Sequence, residues 1–233
     1  MADERESRNK RDQAETVTLR GAVRVFLRYP TPWILGVSAL AALAVRLWLG
    51  AFTYWDLVIP AAILALWPTQ EWVFHVVFLH FRPRRLLGRT LDLPVARAHR
   101  AHHRDPWRID KAFIPLHIVI GGVPFQLLIW NVLLPPTLAF TGIAFYLLLA
   151  THYEWIHFIV HTRYKPRGAW LRRLWHSHRL HHCKNERYWY GVTMLSGDRL
   201  LGTSPAPQAT PLSPTCRTLG YEGDLGAGRE VPA

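Results

Sequence analysis

Uncharged apolar blocks alternate with strongly basic ones along this chain. Residues 29–45 hold no Asp, Glu, Lys or Arg; nor do residues 57–70, and after Glu71 the sequence stays uncharged to Phe81. The longest gap covers residues 112–153. A bilayer core of about 30 Å takes about 20 apolar residues of helix. The blocks therefore predict spans over residues 33–49 and 55–75, and two more within the long gap, near 116–134 and 138–158. Pro135-Pro136 breaks that gap where a tight turn is needed. Soluble helices expose a polar face, and these blocks have none. The predicted fold is all-α: four transmembrane helices in two hairpins with a cytoplasmic histidine-lined helical cap. Residues 16–28 alternate Leu, Val and Phe with Arg20, Arg24 and Arg28, which predicts an interfacial helix. Residues 1–14 are of mixed charge without an apolar run, and read as a disordered segment, not a cleavable signal peptide. The organisation expected is thus a cytoplasmic N-terminal segment, partly disordered (1–28), a membrane-embedded domain (29–203), and a Pro/Gly-rich, loosely docked tail (204–233).

Charge orients these spans. The net charge is +12, and the basic residues fall in three segments: 1–28, 82–111, and everything from Arg163 onward. Arg46 alone lies apart, near the far end of the first span, where it is expected to snorkel. With a cytoplasmic N-terminus, all three segments and the C-terminus are cytoplasmic and both hairpin turns are free of Lys and Arg, as the positive-inside rule requires. Because the basic residues flank the spans, anionic lipid is the expected partner and no nucleic acid is. Two cysteines, Cys183 and Cys216, exclude a disulfide framework and a Cys-ligated cluster.

Thirteen histidines are present, and ten fall in four groups on that same side: His75 and His80; His99, His102 and His103; His157 and His161; His178, His181 and His182. Helical residues three and four apart share a face, so each HxxHH triad is expected to aim three imidazoles at one point. His75 and His80 are five apart, about 140° around an α-helix, and are expected to approach a centre from two sides or to serve two metals. Ten imidazoles exceed one metal's needs and suit two; neutral imidazole accepts iron, zinc, copper or nickel. His117, His152 and His176 fall outside the pattern and read as structural. Glu71 and Glu154 interrupt apolar helices close to His75 and His157, and are expected to accept the other ring N–H of those imidazoles. Asp198 is a third candidate carboxylate. Phe74, Phe78, Trp155 and Phe158 are candidates for shaping a lipid slot.

The boxes, read as Glu71-Trp-Val-Phe-His75 with His80, His99-Arg-Ala-His-His103, Tyr153-Glu-Trp-Ile-His157 with His161, and His178-Arg-Leu-His-His182, resemble those of the fatty acid hydroxylase superfamily. That membrane group includes sterol desaturases and fatty acid and carotenoid hydroxylases. Tyr190-Gly-Val-Thr193 and Asp198-Arg-Leu-Leu-Gly-Thr203 are similar to its closing signature; Glu154 stands where many relatives have Asp. The resemblance covers about residues 33–203. It implies a non-haem oxygenase with two iron ions (zinc possible as isolated), O2 as co-substrate, and the ten boxed histidines as ligands. It implies hydroxylation or desaturation of a membrane lipid or isoprenoid, with electrons from a separate ferredoxin or cytochrome b5-type donor and its reductase, since no dinucleotide or flavin motif and no fused cytochrome extension is visible. A carotenoid-ring hydroxylase shares the same boxes. Rivals of other classes are a bis-histidine haem cytochrome, which needs histidines facing each other between spans, and a metal transporter, which needs ionisable residues along a path through the bilayer.

Overall fold

Four long apolar helices carry the molecule, and both hairpin turns lie at the end away from the histidines. The computed structural model describes residues 2–86 and 88–221. In chain order the helices are α1 (Ala2–Glu15), α2 (Leu19–Phe26), α3 (Pro30–Leu49), α4 (Trp55–Val73), α5 (Pro94–Arg104), α6 (Leu116–Leu133), α7 (Pro136–Val160), α8 (Ala169–Cys183) and α9 (Ser196–Leu200). The four long ones, α3, α4, α6 and α7, are long and apolar enough to cross a bilayer. Two start earlier than the apolar runs predict, α3 at Pro30 and α7 at Pro136. Proline suits a first helical turn, where its missing N–H has no partner to lose.

α7 is the central post, with α3, α4 and α6 packed on it. Small residues let α3 come close: Ala39 and Ala42 are buried with Leu35 against Ile143 and Leu147 of α7. Gly142 does the same for α6, since a Cβ there would sit 2.5 Å from the Trp130 ring. Ile63 and Trp67 of α4 pack near Leu149. The outward faces stay apolar, with Leu40, Leu47, Leu57, Leu66, Leu128 and Val132 exposed. An exposed apolar belt of this extent fits hydrocarbon and not water.

Three expectations are corrected. Arg46 does not snorkel: it is buried, paired with Asp56 at 2.6 Å, and bonded to Thr141 and the Gly50 carbonyl. The pair ties α3, α4 and α7 together beside the first turn. The N-terminal segment expected to be disordered is helix α1, because its polar residues have work to do: Gln13 donates to the carbonyls of Trp107 and His161, and Asp12 pairs with Arg28 of the α2 end. The all-α expectation holds, and the strands among the described residues are those of one small hairpin, β1 (Arg84–Leu86) against β2 (Arg89–Leu91). The tail is not loosely docked as far as residue 221, since Cys216 and Leu219 are buried; its remainder, 222–233, lies outside the described residues. The expected interfacial helix is α2. It buries Ala22, Val25 and Phe26 while exposing Leu19 and Val23.

Candidate metal centre

The ten boxed histidines converge at one end of the bundle, in two groups of five. The first holds His75, His80, His99, His103 and His181; the second holds His102, His157, His161, His178 and His182. Within each group the ligand nitrogens lie within 4.8 Å of one another. The groups abut, with the rings of His103 and His182 4.1 Å apart. Each HxxHH triad is therefore split, not aimed at one point. Helix geometry gives the reason: residues i and i+4 differ by about 40° in azimuth, whereas i+3 and i+4 differ by about 100°. His99 and His103 thus serve one group, and His102 turns to the other. His178 and His182 mirror them, with His181 crossing back.

The second correction concerns His75 and His80. At the end of α4 the helix widens into a π-turn, Phe74–Leu79, closed by His80 N–H to His75 O at 3.0 Å. An i→i+5 bond stacks residues five apart, so both rings reach the same group, with centroids 4.9 Å apart. An ordinary α-turn would have sent them about 140° apart.

Four rings are oriented by backbone carbonyls. Nδ1–H donates to Tyr190 O from His75 (2.7 Å), to Cys216 O from His103 (2.8 Å), to Ala112 O from His157 (2.7 Å) and to Tyr188 O from His181 (2.8 Å). A carbonyl only accepts, so the proton sits on Nδ1 and the lone pair on Nε2. Nε2 of His99 then faces the lone pairs of both His75 (3.2 Å) and His103 (3.1 Å). One N–H cannot line both contacts. In the second group Nε2 of His161 lies 3.1 Å from that of His102 and 3.0 Å from that of His178, which lies 3.0 Å from that of His182. Nitrogens bound at about 2.1 Å to one cation at near right angles would stand about 3 Å apart. The donor set thus fits two metal ions, and all-imidazole ligation suits iron or zinc.

Burial keeps these rings neutral. It pushes His99, His102, His103, His161, His178 and His182 well below the usual imidazole range, with neighbouring imidazoles adding to the effect, and lowers His181 to about 4. His80, the partly exposed ligand, is lowered by the same causes.

Among the described residues no carboxylate touches a ligand ring in the expected way. Glu71 accepts the backbone N–H of Val192 and Thr193 and the Thr193 hydroxyl. Glu154 accepts the Thr31 hydroxyl at 2.7 Å and Ile114 N–H at 3.0 Å. Asp198 accepts Tyr190 N–H, Gly191 N–H and the Thr203 hydroxyl, and burial still raises its pKa. Each works one step removed. Glu71 and Asp198 pin residues 190–193, whose Tyr190 carbonyl holds His75, and Glu154 pins Ile114, two residues beyond the carbonyl that holds His157. Sequence reasoning reached the carboxylates and the 190–193 segment, but not the carbonyls of Ala112, Tyr188 and Cys216. Backbone acceptors leave no residue-type signal, and Cys216 lies far along the chain from every box. His117 and His176 are exposed, and His152 stacks on Trp170, so none of the three joins the groups.

A cavity of about 480 Å³ rises from the groups into the bundle. His99, His102 and His157 form its floor; Ile118, Val123 and Leu147 are among its walls. Phe74 and Phe125, both also exposed on the outside of the bundle, line it too. Of the four aromatic candidates only Phe74 borders this space. Phe158 and Trp155 pack with Phe26 in the core behind the site, and Phe78 is exposed beside Phe74.

Residues 60–203 match the family described as fatty acid hydroxylase. The chain is similar to the ceramide very long chain fatty acid hydroxylase SCS7 of Saccharomyces cerevisiae (strain ATCC 204508 / S288c), at 36% identity over 151 residues. That stretch is 64% of this chain but 38% of the yeast protein, so the chain spans well under half of that relative's length. Among solved structures it resembles full-length scs7p, of which only the hydroxylase domain is visible. The TM-score is 0.63 at 25% identity, covering 78% of this chain and 69% of that one.

Proposed function

The chain belongs to the fatty acid hydroxylase family, and on that premise we propose that it is an integral-membrane oxygenase that holds two iron ions in its two histidine cages and hydroxylates the acyl chain of a membrane lipid. One observation carries this reading: two abutting five-imidazole cages form the floor of an apolar cavity reached from the lipid-facing side. When bound, the metal pair supplies the redox chemistry that an unactivated C–H bond requires, since such a bond offers neither an acidic proton nor an electrophile. The balance is R–H + O2 + 2 e− + 2 H+ giving R–OH + H2O. The two electrons come from a separate carrier of the ferredoxin or cytochrome b5 type.

The chain's own residues do the rest. Ile118, Val123 and Leu147 wall the acyl chain and keep water from it, while Tyr153 and Phe113 border the floor beside His157. Carbonyls of Ala112, Tyr188, Tyr190 and Cys216 fix tautomer and aim, leaving Nε2 free to bind. The histidine end is cytoplasmic in this reading. All three basic segments, the last as far as residue 221, lie at that end, and the turns at the other carry no unpaired cation among the described residues, Arg46 being bonded to Asp56.

The test is metal analysis of anaerobically purified protein, joined to mass spectrometry of lipids from cells carrying wild type or His181→Ala. The reading expects two iron ions per chain and a hydroxylated acyl product that disappears in the variant. Identical lipid profiles across several hosts, from protein that carries its metal, would overturn it.

A further inference from the structure

A second concavity shares no lining residue with the lipid cavity. It is a broad open groove of about 1090 Å³, walled by α1, the start of α2, residues 162–167 and α8. Its cations are Lys10, Arg163, Lys165, Arg167 and Arg179, and no carboxylate among the described residues lines it. Lys10 leans toward Glu6 at 3.6 Å, and Arg179 is spent on the carbonyls of Val160 and Thr162. Arg163, Lys165 and Arg167 are exposed and make no ion pair among the described residues. Three free cations on one short segment, with no acid to balance them, form a focused positive field.

The groove also leads to the metal ligands. Arg179 is sandwiched between two indoles, 3.7 Å over the Trp175 ring and 4.5 Å over that of Trp107. The Trp107 ring lies edge-on to His161, with centroids 6.2 Å apart, and is 36% exposed. Of the other rings that touch ligand histidines, Tyr190 is buried and Tyr153 opens into the lipid cavity. Trp107 is therefore an aromatic step between solvent and a ligand that does not cross the substrate's space. Its backbone is held as well, the carbonyl accepting from Gln13 and Asn9 of α1.

We propose that this groove is the docking surface for an acidic one-electron carrier protein and that Trp107 is the port through which electrons reach the metal pair by way of His161. The proposal rests on the oxygenase reading above. Each turnover there needs two electrons that the substrate C–H bond does not provide, so the carrier docks twice and is oxidised by one electron each time. The groove keeps that traffic away from the acyl chain, whose cavity has a separate lining. Helix α1 acquires a role by the same argument, since it builds one wall and clamps Trp107.

The test uses the full chain, iron-loaded in phosphatidylcholine nanodiscs, with the reduced soluble haem domain of cytochrome b5 as probe. Affinity is read by titration, and electron transfer by the loss of the reduced-haem absorbance after rapid mixing. The double charge reversal Lys165→Glu with Arg167→Glu is expected to weaken probe binding by about tenfold or more at low ionic strength, a difference that shrinks as salt is raised. Trp107→Leu is expected to leave affinity nearly unchanged and to slow haem oxidation severalfold; Trp107→Tyr, which keeps a ring, restores most of the rate. Reduction by methyl viologen bypasses the groove and is expected to be the same in all variants. If viologen fails to reduce wild type, the redox-metal reading itself has failed. If viologen works but charge reversal leaves probe affinity intact, the docking surface is wrong. Should the reversal alter only retention of phosphatidylserine in mixed nanodiscs, the groove is a lipid-headgroup site and the proposal is overturned.

Discussion

The molecule buries ionisable groups at both ends of its helical bundle, in opposite ways. At the turn end, Arg46 meets Asp56, with Thr141 and a backbone carbonyl taking the remaining bonds. That set is closed, since every charge has its counter-charge. At the other end, ten imidazoles stand ring to ring with no carboxylate among the described residues touching them, and several Nε2 lone pairs point at one another. That set is open, and only added cations balance it. Burial alone therefore does not mark a site. The informative feature is a buried polar group whose partner the protein does not provide.

Substitutions at the two ends should separate these cases. The largest effect is expected at the open end. His157→Ala or His182→Ala should cut hydroxylase activity by more than ~100-fold, beyond the ~10–100-fold typical of losing an outer partner, and elemental analysis should show the metal content falling. At the closed end, Arg46→Ala strands the half-buried Asp56 carboxylate and should destabilise the fold by up to about 3 kcal/mol. Replacing both partners, Arg46→Met with Asp56→Leu, should recover much of that in chemical unfolding, with metal content per folded chain unchanged. A similar rescue for a pair of ligand histidines would erase the distinction.

The carboxylates that pin backbone should fall between. Glu71→Leu releases the amides of Val192 and Thr193, and should lower metal affinity by about 10–100-fold in chelator competition; Glu71→Gln keeps an acceptor and should lose much less. If both variants behaved alike, the indirect path from Glu71 to His75 would be wrong. The smallest effect is pH dependence of the metal-free protein. His181 is lowered to about 4 by burial, while an unfolded imidazole titrates near 6.5. Between those values the unfolded state binds more protons, so stability should fall as pH drops from about 6.5 toward 4. The unfolding midpoint of the metal-free protein followed across that window checks this, and a flat profile would contradict it.

What the sequence disclosed divides along similar lines. The spans were visible because lipid demands uninterrupted apolar runs, and the ten histidines were visible because metal ligands come in short helical spacings. Their partition was not. Sharing of each HxxHH triad between two groups depends on how α5 and α8 face one another, and the joint aim of His75 and His80 depends on a π-turn that 3.6-residue reasoning does not include. Helix α1 was misjudged because its charge pattern lacks an apolar stripe; its polar residues bind backbone carbonyls of the core instead. The tail's part was hidden for the same reason, since what it brings to the site among the described residues is a backbone carbonyl, that of Cys216.

The central claim is that two neighbouring cages each take one metal through imidazole nitrogen alone. Anaerobic loading with iron, followed by elemental analysis and X-ray absorption at the iron edge, tests it most directly. The account predicts two iron ions per chain and a nearest shell that includes nitrogen at about 2.1 Å with no sulfur. A single ion per chain, a sulfur neighbour, or a Soret band in place of a non-haem spectrum would contradict it.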